Sequence, residues 1–183
     1  MSSISNDMRK TKGFSLIELL IVVAIILVIA AIAIPNLMRA RISSNDAAAA
    51  STIRSINTAE MTYSTQYIGN AFAPTLAILG PGATDCSAAD ATFACLVDNV
   101  VGCATAPCTK GGYNYWVTAS AATLPVPDYT ASASPLMVGV TGSRNYCSNA
   151  DAVIRMNTGA AAKLTTAVAL AGCADISKYV ALQ

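Results

Sequence analysis

The chain of 183 residues contains no histidine. That absence removes the Ser-His and Cys-His pairs that activate a nucleophile, and with them the commonest ligand of transition metals. Charge is scarce too: Asp, Glu, Lys and Arg make up 11% of the residues, and the net charge is +1. So weak a balance gives no electrostatic footprint for a specific nucleic acid. Aromatic residues stand at 6%, and nothing in their placement marks an electron-carrying role. Asp128, Asp151 and Asp175 are isolated along the chain. Asn149-Ala150-Asp151 reads as a turn rather than a calcium loop, and no spacing positions a Ser-Lys pair. Neither a P-loop nor a dinucleotide-binding glycine fingerprint is present. The expectation is a protein that is not an enzyme, with no catalytic residue, no cofactor and no metal.

What the chain has instead is one long apolar run behind a short basic leader. From Leu19 to Ile34 every side chain is apolar. Counted from Phe14 to Ile34 the run is 21 residues, or roughly 31 Å of helix at about 1.5 Å per residue. That matches a hydrocarbon core of about 30 Å. One carboxylate, Glu18, falls inside it. An acid there costs on the order of 2–3 kcal/mol toward the middle of a span and less near its end, so its presence needs a reason.

Three readings compete for this N-terminus. A secretory signal would use Arg9, Lys10 and Lys12 as its basic part and Ala31-Ile32-Ala33 as its cleavage site. Its apolar part is normally only about 7–15 residues long, however. A plain membrane anchor fits the length, with Glu18 snorkelling to the near interface. The third reading puts the cut before the apolar run, between Gly13 and Phe14, so that the hydrophobic helix survives in the mature protein.

Six cysteines, Cys86, Cys95, Cys103, Cys108, Cys147 and Cys173, all lie far beyond the apolar run. An even number outside the cell reads as disulfides, and six allow 15 connectivities. Local spacing favours Cys103–Cys108, with Cys86–Cys95 and Cys147–Cys173 as the other pairs. The rival reading, a thiolate metal site, is poorly served by a four-residue gap between Cys103 and Cys108 and by the missing histidine.

The residues Gly13-Phe14-Ser15-Leu16-Ile17-Glu18-Leu19, behind a basic leader and ahead of Pro35, resemble the class III signal of type IV pilins, of the type IVa-like major pilins in particular, and of type II secretion pseudopilins. The resemblance implies that a prepilin peptidase cuts after Gly13 and methylates the new N-terminal Phe14. It places Glu18 as the assembly acid and Pro35 on the family's helix-bending proline. Met8 opens a compact leader, so residues 1–7 read as either a longer leader or an earlier start. The leader's basic side chains hold it in the cytoplasm and send the rest outward, although Arg39 and Arg41 on the far side weaken that asymmetry.

Cleavage would leave a cationic amine on Phe14 one turn from the Glu18 carboxylate. Packed beside a second helix, that amine and a neighbour's Glu18 pair, so neither charge stays alone in lipid. An unpaired partner is heavily penalised, and the pair favours one axial register.

Removing 13 of the 183 residues leaves 170, enough for one membrane helix and one modest globular domain. The helix is expected to pass through Pro35 with a bend, with a weak point at Ser43-Ser44-Asn45-Asp46, whose side chains compete for backbone hydrogen bonds. It then presents Ile42, Ala49, Ile53, Ile56, Tyr63 and Tyr67 on one face for docking on a sheet, and Gly69-Asn70 ends it. Residues 70–112 are proline-, glycine- and cysteine-rich without a lasting period, in the position of the pilin variable region. Strands are expected at Tyr113–Thr118, Tyr129–Ser134, Asn145–Cys147 and Val153–Met156. Residues 157–183 read as a short helix and a tail pinned by Cys173.

The predicted fold is α+β: a long N-terminal helix, membrane-spanning in its first half, on a roughly four-stranded antiparallel sheet, pilin-like. Its divisions are a leader at 1–13, a helix at 14–69 with the span at 14–34, a variable region at 70–112, and sheet and tail at 113–183. The resemblance implies a structural subunit of a type IV pilus, made as a prepilin in the inner membrane and polymerised into a surface fibre for adhesion, twitching motility or DNA uptake. Its implied partners are further copies of itself, the prepilin peptidase, an assembly platform with its ATPase, and an outer-membrane secretin. A pseudopilin, a minor pilin and a monomeric membrane-anchored binding domain remain the alternatives.

Overall fold

The computed structural model describes residues 13–82, 86–121, 123–157, 159 and 162–182. The leader residues Met8, Arg9, Lys10 and Lys12 lie outside them. The chain forms two compact units, Met1–Met38 and Arg39–Gln183. Helix α1, Leu16–Gln66, contributes to both and passes through Pro35.

In the first unit α1 is a bare apolar helix. Leu16, Val28 and Ile32 are each more than 60% exposed, and the segment is long and apolar enough to cross a membrane. Among the described residues of the first unit nothing covers these side chains. Lipid or other copies of the helix would satisfy them.

In the second unit the remainder of α1 lies on one face of a six-stranded antiparallel sheet. The strands are β1 (Cys108–Lys110), β2 (Tyr113–Ala119), β3 (Tyr129–Pro135), β4 (Tyr146–Asn149), β5 (Arg155–Asn157) and β6 (Tyr179–Ala181), paired in sequence order. Two short helices complete the fold, α2 (Leu76–Leu79) and α3 (Leu170–Ala174). Roughly four strands were expected from the sequence. The two added ones, β1 and β6, are three-residue edge strands, too short for alternation to register.

The alternation in Tyr129-Thr130-Ala131-Ser132-Ala133-Ser134 gives β3 two different buried faces. Tyr129, Ala131 and Ala133 join the core shared with Ala49, Ile53, Ile56 and Tyr63 of α1. Thr130, Ser132 and Ser134 face the other way, and they are buried as well. The C-terminal segment crosses there: Leu164 N–H donates to Ser134 Oγ at 2.9 Å and Val168 N–H to Ser132 Oγ at 3.3 Å. A buried hydroxyl needs such partners, so the serines fix where that segment lies. The disulfide Cys147–Cys173 ties α3 to β4 beside it.

The Ser43–Asp46 stretch stays helical. Asn45 and Asp46 do not compete for the helix backbone, because their side chains bond outward to the loop after β3. Helix α1 ends at Gln66 and the chain turns through residues 67–70, with Asn70 N–H on the Tyr67 carbonyl.

Candidate processing and assembly site

The start of α1 is built by its own first residues. Ser15 precedes the helix, and its backbone N–H donates to Glu18 Oε2 at 2.9 Å. Ser15-Leu16-Ile17-Glu18 is thereby one half of a capping box, in which the acid at the third helical position reaches back over the first turn. Its charge also lies at the positive end of the helix dipole. The Ser15 carbonyl accepts from Leu19 N–H at 3.2 Å, closing the first turn. The S-x-x-E spacing of Ser15 and Glu18 is the sequence signature of this local role.

Gly13 and Phe14 stand ahead of this cap. Phe14 is 80% exposed. A Cβ on Gly13 would meet no atom of the described residues within 4 Å, and its backbone is not in the left-handed region. Nothing in the described fold requires glycine there. Pro35 lies inside α1 in the first unit.

The six cysteines pair as Cys86–Cys95, Cys103–Cys108 and Cys147–Cys173. The first two staple residues 86–108. Within that region Gly80 and Gly102 pack backbone to backbone, a Cβ on Gly80 falling 2.5 Å from the Gly102 carbonyl oxygen. Among the described residues no group of three or more Cys, Asp or Glu is arranged to hold a metal. Asp151 sits in a turn and pairs with Arg155.

Three polar side chains that a hydrophobic stripe does not reveal anchor α1 to the second unit. Asp46 accepts from the Tyr113 hydroxyl and from the Ser143 N–H and hydroxyl. Burial, and next the bond to Asp46, push the Tyr113 hydroxyl well above its ordinary pKa. Asn57 donates to Ser148 Oγ at 2.8 Å and accepts from the Tyr129 hydroxyl at 3.0 Å. Glu60 is fully buried and accepts from Ala73 N–H at 2.8 Å, while its Oε1 has no partner among the described residues. Burial pushes its carboxyl up to about 8, and the Ala73 bond only partly opposes this. Positions 46, 49, 53, 56, 57, 60 and 63 share one helix face. Polar residues within that spacing were the available signal.

Comparison with known proteins places the N-terminal segment. Residues 8–34 match the prokaryotic N-terminal methylation motif. The chain is 64% identical over 39 residues to the type IV wide pilus major component PilA4 of Thermus thermophilus. That match covers 21% of this chain and 30% of the relative, so the chain spans under a third of that protein's length. No solved structure matches the chain. With the methylation motif at the head of an exposed apolar helix, and an antiparallel sheet carried on the same helix, the chain is similar to type IV pilins in its N-terminal segment.

Proposed function

We propose that the chain is a structural subunit of a type IV pilus. A prepilin peptidase cuts it between Gly13 and Phe14 and methylates the Phe14 amine. The apolar part of α1 holds it in the inner membrane. The same surface then packs against other copies in a fibre, fed by a platform protein and ATPase and released through a secretin where the cell has an outer membrane. One observation carries this reading: the apolar face over Leu16–Met38 is bare, and it is headed by the methylation motif. The accessible Gly13–Phe14 junction supports it. A glycine with open space around it is explained by a peptidase that needs it, not by the fold.

Glu18 has two successive partners in this reading. In the single chain it caps α1 through Ser15 N–H. In the fibre a neighbour's methylated amine takes the carboxylate's free lone pairs, and neither charge is stranded in an apolar environment. Glu18→Ala leaves cleavage largely intact, because the junction lies outside the helix, and it lowers the yield of sheared filaments. Normal filament yield from that variant overturns the pairing.

A further inference from the structure

The loop between β3 and β4 turns three apolar side chains to solvent. Met137 is 59% exposed, Val138 40% and Val140 48%. This exposure is built in. Gly139, at φ +77°, lets the chain reverse, and Gly139 N–H donates to the Gly142 carbonyl at 2.8 Å. Val140 and Thr141 N–H donate to the Met137 carbonyl, and Met137 N–H donates to Thr141 Oγ1. With its polar backbone bonded internally, the loop holds its apolar side chains outward at little further entropic cost.

The loop is fastened to α1 close to where the helix enters this unit. Asn45 Nδ2 donates to the Thr141 carbonyl at 2.8 Å, and Ser143 N–H donates to Asp46 at 3.0 Å. Asn45 is seven residues past Met38, about 10 Å along a helix. Val138 is three residues from Thr141, a reach of at most about 10 Å.

Cations lie at its C-terminal end, where Ser143 and Arg144 border a groove. Arg39 and Arg144 line one groove of about 610 Å³ together with Asp46 and Arg54, and Arg41 follows Arg39 on the helix. The ion pairs among the described residues are Lys110–Asp98, Arg155–Asp151 and Lys178–Asp175, so these arginines enter none. The one carboxylate in the groove, Asp46, is engaged by Tyr113 and Ser143. Apolar side chains on a loop that ends at Arg144, with Arg39 and Arg41 five and seven residues past Ile34 and none of the three in an ion pair among the described residues, match the chemistry of an anionic bilayer interface.

We propose that residues 136–143, together with Arg39, Arg41 and Arg144, dock the exported unit onto anionic phospholipid headgroups while the subunit is still anchored in the membrane. Met137, Val138 and Val140 enter the headgroup–acyl boundary and the arginines meet the phosphates. This rests on the reading that the apolar part of α1 spans the membrane. Docking would hold the second unit against the bilayer until the subunit is drawn into a fibre.

Val138→Trp in the full chain, reconstituted in vesicles of phosphatidylcholine and phosphatidylglycerol brominated near the headgroup, tests the idea. Wild-type Trp116 is buried in the sheet and supplies the baseline. The expected result is that the introduced tryptophan loses roughly half of its emission, as shallow insertion of a side chain requires. The loss weakens when phosphatidylglycerol is omitted and persists as protein is diluted in lipid. A floating, correctly anchored protein with an unquenched tryptophan overturns the docking and leaves the anchor standing. Quenching indifferent to phosphatidylglycerol overturns the role of the arginines. Emission changes that vanish on dilution assign the loop to a contact between copies instead, and overturn the lipid. Protein that does not float with the vesicles overturns the anchor and the docking together.

Discussion

Replacing Glu60 by Gln should abolish most of the dependence of stability on pH between about 5 and 8. Glu60 is fully buried, with one oxygen on Ala73 N–H and the other without a partner among the described residues. Burial raises its pKa from 4.5 to about 8. An acid whose folded pKa is raised holds its proton in the folded state where the unfolded chain has released it. Stability from this group is therefore fully present below pH 4.5 and is lost as pH rises toward 8, beyond which the loss is complete. The slope within that window is about 1.4 kcal/mol per pH unit, and the whole loss is on the order of 5 kcal/mol. Other shifted carboxyls do not confuse the window. Asp98 and Asp151 are held below the ordinary range chiefly by side-chain bonds from Lys110 and Arg155, so they matter only in acid.

The assay is denaturant unfolding of the full chain in detergent micelles, followed by Trp116, the chain's one tryptophan. The wild type should lose stability steadily from pH 5 to 8. Glu60→Gln should be nearly flat. Its amide leaves donors unpaired where Oε1 was, at a cost of about 1–3 kcal/mol, so the variant starts below the wild type in acid and overtakes it between about pH 5 and 7, where the wild type's loss at about 1.4 kcal/mol per pH unit exceeds that cost. Parallel slopes for the two proteins would refute the assignment of the titration to Glu60.

Two further outcomes follow from how α1 and the tail are fastened. Asp46→Ala removes the acceptor of three hydrogen bonds, from the Tyr113 hydroxyl and from the Ser143 N–H and hydroxyl, and should cost about 2–4 kcal/mol in the same unfolding assay; a change under about 0.5 kcal/mol, the size of an ordinary surface substitution, would show that this anchor carries no weight. The disulfide Cys147–Cys173 spans a sequence separation of 26, so converting both cysteines to serine should cost about 3 kcal/mol. Limited proteolysis should then cut first in residues 162–182, and an unchanged digestion pattern would contradict the role given to the bridge.

Much of this architecture could be read from residues. The apolar run from Phe14 to Ile34 stated its own environment, because 21 residues without a partner surface fit lipid and little else. Tyr113–Thr118 and Tyr129–Ser134 carried enough β-branched, aromatic and alternating residues to mark β2 and β3. Strands β1 and β6 were invisible because three residues define no period. The polar anchors Asp46, Asn57 and Glu60 were hidden for another reason. A stripe argument assigns the buried face to apolar residues, and only the fold shows that Tyr113, Tyr129 and Ala73 wait opposite these three. That Ser132 and Ser134 are covered was equally hidden, because the segment over them arrives from 30 and 36 residues later. The cost of Glu18 in lipid is legible from its neighbours in sequence, whereas its bond to Ser15 N–H depends on the side-chain rotamer, which only the fold shows.

Mass spectrometry of the subunit recovered from sheared filaments tests the central claim most directly. The account requires a mature chain that starts at Phe14, carries one methyl group on its amine, and has all six cysteines oxidised. A filament subunit that retains Gly13, or one that starts within or after the apolar run, would contradict it.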